Sequence, residues 1–269
     1  MQILEIDRLD SDDGEWEMQR ELYKSKGYVF VSDLSIYFGF GYQTLNRFLK
    51  NMKIQTDWSQ RAMLHGKETE PECVTQLREF YEESNLEPIK LVHNRTTFLK
   101  KIISTFTSDV QVAGTPDAFF RIMGEDKQII EIKCPFHFSE RFETVTKWAR
   151  TWQEKHKRGY ENAFIQAFAY ALMFDTNYFK TCFYFKRGDF EERVGIVYDF
   201  KINIWDREEL LQYLADFQKL IEEKPKVFRD TEKRDKRKYI EDLMKESLVS
   251  INKFTYRSIE TKPVQIQTR

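Results

Sequence analysis

Two strand-forming runs flank a short turn near the middle of the chain, and they dictate more of the fold than any other segment. Residues 117–123 (DAFFRIM) and 127–134 (KQIIEIKC) are rich in aromatic and β-branched residues, and Gly124-Glu125-Asp126 lies between them. Two such runs around a Gly-containing turn read as a β-hairpin. Pro135 ends the second run, because proline has no N–H to give to a ladder. Side chains two apart on a strand share a face, so Glu131 and Lys133 point the same way. Asp117 opens the other arm, just after Gly114-Thr115-Pro116, and in a tight hairpin it lies beside them. Two carboxylates and a lysine then converge at one end of a strand pair.

The flanking sequence predicts helices and strands in a mixed order. Helical segments are expected at 15–25, at 33–38 with Ser32 as N-cap, near 43–53, and at 60–83, interrupted or restarted near Pro71. Further helices are expected at 139–158, 160–174, 206–223 and 229–246. Strands are expected at 90–92, 109–114, 182–187 and 193–200, while 28–32 reads as a strand or as the entry to the next helix. With 10 Gly and 6 Pro, no internal repeat and no flexible linker, the chain reads as one α/β or α+β unit. The expected organisation is an acidic leader at 1–17, one domain at 18–247 with its core at 60–205, and a C-terminal tail at 248–269.

Composition narrows the class. Of 269 residues 41% are hydrophobic and 15% aromatic, which supports a sizeable core and excludes a disordered chain. Cys73, Cys134 and Cys182 are odd in number and lack a CxxC, so they read as free thiols in a reducing compartment. They are one short of a four-thiolate iron–sulfur site. The longest apolar stretch, 163–174, is broken by Gln166 and is short of the roughly 20 residues a spanning helix needs. The acidic start, MQILEIDRLDSDDGEWE, is no secretory signal. An intracellular, cytoplasmic protein with no membrane partner is expected. Residues 1–17 carry −6 of a net charge of −1, leaving +5 on the remainder, which permits a polyanionic partner. No phosphate-binding P-loop motif is present, so ATP-driven translocation is not expected.

An E-x-K triplet alone is an ordinary solvated strand face. Joined to Asp117 across a hairpin it has a chemical use. Two carboxylates and a backbone carbonyl are hard oxygen ligands for Mg²⁺, which takes few protein ligands and keeps several waters. Such an ion activates water and polarises a phosphoryl oxygen, and a neighbouring lysine orients the water or offsets developing charge. Elsewhere, Lys147, Arg150, Lys155, Lys157 and Arg158 stand among Trp148, Trp152 and His156. Cations interleaved with rings suit a nucleic-acid groove, whereas the plainer reading is a solvated helix face. The run Lys233 to Lys238 reads as a solvated helix. His65 has no matched partner and reads as structural, and Cys134 as a small core residue.

The segment GTPDAFF…IIEIKCPF resembles the PD-(D/E)XK nucleases, most closely the YqaJ/lambda-exonuclease branch of viral and phage recombination exonucleases. His65-Gly66-Lys67-Glu68-Thr69-Glu70 resembles that branch's G-x-x-x-E helix. Ser32-Asp33 with the helix through Gly39 and Tyr42 resembles its amino-terminal segment. Gln166 to Tyr170 resembles the Q-x-x-x-Y signature of RecB-like nucleases. The match spans roughly 24–175. It implies a restriction-endonuclease-like core, a mixed central β-sheet flanked by helices, with the hairpin 109–134 at its centre. It further implies Asp117, Glu131, the Ile132 carbonyl and Glu70 as ligands of one or two Mg²⁺ (or Mn²⁺) ions, with Lys133 positioning water. Gln166 and Tyr170 would organise the site or touch DNA, and Ser32 would hold a terminal phosphate. Where the branch has an arginine seven residues before that serine, this chain has Ser25, flanked by Lys24 and Lys26. The implied activity is 5′→3′ digestion of linear double-stranded DNA in recombination or repair. The implied partners are DNA ends, a single-strand annealing protein and two further copies in a homotrimer. An endonuclease on the same core, with RNA as a second substrate, and a catalytically inactive end-binding protein are the alternatives.

Overall fold

The computed structural model describes residues 5–8, 13–40, 45–50, 57–83, 90–93, 97–104, 109–122, 125–136, 143–155, 157–187, 192–223 and 233–257. In chain order the elements are β1 (Glu5–Arg8), α1 (Asp13–Ser25), β2 (Val29–Phe30), a 3-10 turn (Val31–Asp33), α2 (Leu34–Tyr37), α3 (Leu45–Leu49), α4 (Asp57–Glu83), β3 (Lys90–His93), β4 (Thr97–Ser104) and β5 (Asp109–Gly114). They continue as β6 (Ala118–Ile122), β7 (Glu125–Lys133), α5 (Val145–Lys155), α6 (Lys157–Met173), β8 (Tyr178–Lys186), β9 (Glu192–Lys201), α7 (Ile204–Glu223), α8 (Lys233–Glu246) and β10 (Leu248–Arg257).

The expected hairpin forms from β6 and β7, with Ala118 opposite Ile130 and a register shift at Phe120/Arg121. It sits inside a six-stranded sheet of order β10-β9-β8-β7-β6-β3. Every pairing there is antiparallel except β7 with β8, which runs parallel. That parallel step needs a long crossover, and α5 and α6 supply it. A second sheet, β1-β4-β5-β2, holds β5. The hairpin at the centre is therefore β6–β7 alone, and β5, expected beside it, turns off into the other sheet after Gly114.

The pleat of β7 sorts its side chains between two helical layers. Ile130 and Ile132, with Ala118 and Phe120 of β6, pack under Cys73, Val74, Leu77 and Tyr81 of α4. Ile129 and Phe119 face the other way, onto Phe164 and Phe168 of α6, with Phe179 and Phe200 beside them. α6 is apolar nearly all round because it is covered twice, by the sheet and by Leu34, Tyr37, Leu210, Leu214, Phe217 and Ile240 beyond it.

Several expectations need correction. α4 runs unbroken through Pro71. Proline costs about 3 kcal/mol inside a helix, and burial of Cys73, Val74, Leu77 and Tyr81 just downstream outweighs it. Asp33, not Ser32, holds the N-cap position of α2, and it makes no side-chain cap bond. The segment expected as helix at 139–158 is helical over α5 and the start of α6, with 137–142 and His156 outside the described residues. Residues 1–17 contribute β1 and the opening of α1. Residues 248–257, expected as tail, form a ten-residue edge strand on β9, while 258–269 lie outside the described residues. Among the described residues no helix is long and apolar enough to cross a membrane. All three cysteines are free thiols.

Candidate active site

Carrying the β6–β7 register one step past Ala118↔Ile130 sets Asp117 beside Glu131. The Ile132 N–H donates to Asp117 Oδ2 at 2.6 Å, which ties the head of one arm to the end of the other. Glu131 and Lys133 share the α6 face of β7, and the Lys133 ammonium donates to Glu131 Oε1. It also donates to Gln166 Oε1 at 3.3 Å, while Gln166 Nε2 donates to Asn162 Oδ1 at 2.5 Å. Gln166 is thus fixed from one helical turn away and in turn steers Lys133. Tyr170, one turn further along α6, is 3% exposed. Its hydroxyl is hydrogen-bonded to the Thr115 backbone, and burial pushes it well up from the usual phenol range. A Cβ on Gly114 would stand 2.7 Å from that hydroxyl, so only glycine lets the Gly114-Thr115-Pro116 corner close on Tyr170. Tyr170 therefore holds the corner that aims Asp117 and is a positioning residue; it is too deeply buried to meet a substrate.

The electrostatics are acid-rich. Burial, then Glu131 and Glu70, push the Asp117 carboxyl well up from its ordinary range. Burial also raises Glu131, against the pull of Lys133. Glu70, on α4, adds like charge that reaches Asp117 and Glu131 and helps to raise Lys133. Lys133 is held above the usual lysine range, because Glu131 and Asp117 together outweigh its own desolvation. A lysine so held is charged at neutral pH and is suited to donate hydrogen bonds. Glu131 Oε2 is buried with no hydrogen-bond partner. An orphaned carboxylate oxygen beside a second desolvated carboxylate is what a hard cation satisfies. Among the described residues no three acid, thiol or imidazole side chains close on one point. The residues present therefore fit an ion that takes two carboxylates and leaves its other positions to backbone carbonyl and water, as Mg²⁺ does.

The other predicted residues divide. Ser32 is exposed, and Arg20 Nη2 lies 3.3 Å from its Oγ and 2.7 Å from Asp33 Oδ1. Lys24 Nζ is 3.3 Å from Asp33 Oδ2, and Lys26 lies over the Tyr23 ring. Arg20 was missed by reading position 25 alone. Arg20 and Lys24 are one helical turn apart on α1, and that spacing was the available signal. Lys147 and Arg150 are exposed and pair along α5 with Glu143 and Glu154, and Lys155 is exposed. The side chains of Lys157 and Arg158 and all of His156 lie outside the described residues. The interleaved rings correct the groove reading. Trp148 is buried on Phe185, and Trp152 packs on Phe183, Phe185 and Tyr160, so both belong to the core. His65 packs on Phe136.

A mixed sheet flanked by helices, with an acidic hairpin at its centre and a parallel strand beyond, is the arrangement expected of a restriction-endonuclease-like core. No protein-family model and no curated protein matches the chain. Among solved structures it is similar to an alkaline exonuclease from Laribacter hongkongensis, at 16% identity over 73% of this chain and 88% of that one, with a TM-score of 0.44. It is also similar to a phage-related exonuclease from Haemophilus somnus, at 16% identity over 81% of this chain and 92% of that one, with a TM-score of 0.36.

Proposed function

We propose that this chain is a Mg²⁺-dependent nuclease that hydrolyses phosphodiester bonds of linear double-stranded DNA from an end. The observation that carries the reading is the meeting of Asp117, Glu131 and protonated Lys133 at the end of one hairpin, with Glu70 nearby. Asp117, Glu131 and the Ile132 carbonyl would hold the ion, with Glu70 completing the acidic cluster. Mg²⁺ or Mn²⁺ held there supplies Lewis-acid activation of water and of the phosphoryl oxygen. Lys133, kept cationic by its two acids and aimed by Gln166, donates to the attacking water or to the phosphoryl oxygens as charge builds. Tyr170 keeps Asp117 in place through the Gly114-Thr115 corner. Linear duplex with Mg²⁺ should be consumed, and EDTA should stop it. Covalently closed circular duplex should survive; nicking of the circle would move the reading to an endonuclease on the same residues.

Recognition of a 5′-phosphorylated end is supported by the group around Ser32. Arg20 supplies the planar fork that lysine cannot, and it sits against the Ser32 hydroxyl with Lys24 alongside. Arg20→Ala should lower the digestion rate of 5′-phosphorylated duplex about 10–100-fold and bring it level with 5′-hydroxyl duplex. Arg20→Lys, which keeps the charge beside Asp33, should restore only part of the preference. An unchanged ratio in both variants would remove Arg20 from end recognition. Digestion with 5′- and 3′-labelled ends gives the polarity. A 5′→3′ course leaves a 3′ single strand, the substrate of a strand-annealing partner.

A further inference from the structure

Most of the described glycines with close neighbours have an evident reason for being glycine. A Cβ at Gly114, Gly159 or Gly195 would come within 2.7, 2.6 and 1.9 Å of Tyr170, Trp152 and Phe254 respectively. Gly66 is different. It lies inside the 27-residue α4, and among the described residues nothing stands within 4 Å of where its Cβ would be. Glycine in a helix interior is destabilising relative to alanine, and no packing within the described chain calls for it. Gly66 is one turn before Glu70, on the same face of the helix. A glycine kept where the chain leaves space is a place where another backbone can approach closely.

The same half of α4 carries one exposed ring, with half-buried rings beside it. Trp58 is 43% exposed, and its ring centroid is 6.4 Å from Phe136, which is itself 5.4 Å from His65. Phe136 follows Lys133 by only three residues, across Cys134 and Pro135, so this aromatic group is continuous with the candidate active site. Arg61 and Lys67 are exposed on the same helix half and stand on opposite flanks of the line from Trp58 to Gly66. From Trp58 to Glu70 the helix rises about 18 Å, the length of roughly five stacked nucleotides at 3.4 Å each.

We infer that the N-terminal half of α4 is a track for one nucleic-acid strand, with its bases on the Trp58–Phe136 rings and its sugar–phosphate backbone crossing Gly66 on the way to Asp117 and Glu131. Rings that stack on any base, beside cations that follow the backbone, are how single strands are held without sequence preference. The inference rests on the nuclease reading above and extends it to the path of the strand.

The test uses the full chain. Gly66→Ala should raise the melting temperature by about 2–4 °C and lower cleavage of linear duplex in Mg²⁺ about tenfold or more, because the added methyl occupies the strand's path. Gly66→Ala with full cleavage, or with a lowered melting temperature, would overturn the inference. Independently, a single-stranded oligonucleotide containing 2-aminopurine, mixed with protein in Ca²⁺ instead of Mg²⁺, should be quenched on binding. Trp58→Ala and Phe136→Leu should each weaken that binding about fivefold or more and reduce the quench. Wild-type quenching retained in both variants would overturn it as well. If the wild-type chain cuts no nucleic acid, the nuclease reading fails on that ground alone. If it cuts while the variants match it, the track fails and the nuclease stands.

Discussion

Asp117→Asn is expected to lose phosphodiester cleavage by about 10³-fold or more and, in the same protein, to melt a few degrees higher in metal-free buffer. The loss follows from removing one of two carboxylates that make the candidate cation site, a larger intervention than altering a supporting group, which itself costs 10–100-fold. The gain follows from electrostatics. Burial, Glu131 and Glu70 all disfavour ionised Asp117, and relieving like charge at a desolvated site is worth about 1 kcal/mol or more. Asparagine keeps an oxygen able to accept from the Ile132 N–H, so the hairpin tie survives. The sign with pH is fixed. A carboxyl raised in the folded state binds its proton more tightly there than in the unfolded chain, so its ionisation costs stability above the folded value. That cost fades as pH falls through the raised value. The melting-temperature gap between variant and wild type should therefore widen as pH rises and close on acidification. Glu131→Gln should lose cleavage equally but melt lower, because Lys133 loses its charged partner. Retained cleavage in Asp117→Asn would take the hairpin out of the chemistry. A lower melting temperature would mean that the charge on the Asp117 acceptor strengthens the Ile132 tie by more than the repulsion costs.

Gly195→Ala should produce the largest loss of stability. Gly195 lies opposite Phe254 in the β9–β10 ladder, and a Cβ there would sit 1.9 Å from the Phe254 ring. The ring cannot simply swing aside, because it is stacked on Phe80 at 5.4 Å and on Tyr184 at 6.3 Å. Overpacking of this kind costs about 1–3 kcal/mol and occasionally more, or roughly 2–4 °C in melting temperature per kcal/mol for a chain of about this size. Phe254→Ala in the Gly195→Ala background should recover part of the loss, although Phe254→Ala alone destabilises. Additive losses in the double variant would show that the two side chains do not meet.

That contact also explains what could not be read from the sequence. The pattern of β10 reads as a tail because it misleads. Val249 and Ile251 point outward and are exposed, while the partners on the sheet side are Ser250 and Asn252, both donating to Asp199 Oδ2. The alternation of Val249 and Ile251 with Ser250 and Asn252 is present, but it runs the wrong way round, with the apolar pair outward and the polar pair on the sheet. Trp148 and Trp152 misled in the opposite sense. Their neighbours in sequence are cations, but the helix turns the rings inward and the charges out. β4 was missed because Lys100 and Lys101 interrupt its apolar run; in the fold Lys100 reaches the Tyr23 hydroxyl and Lys101 the Met173 carbonyl. The hairpin was legible because every local signal agreed: β-branched and aromatic arms, a glycine turn, a proline stop, and one acid two residues from a lysine. Gln166 and Tyr170 were legible only as a spacing, and their work on Lys133 and on the Gly114 corner needed the crossover that returns α6 beneath β7.

β7 has a bonded neighbour along each edge, antiparallel β6 on one side and parallel β8 on the other, and a helix on each face. A strand gripped on four sides has little freedom to adjust, so Glu131 and Lys133 form an anvil of fixed shape. On the proposed nuclease function, whatever deformation brings a phosphodiester into line would be borne by the nucleic acid, and ends and unpaired stretches, the parts of a duplex easiest to bend, would be processed ahead of its stiff interior.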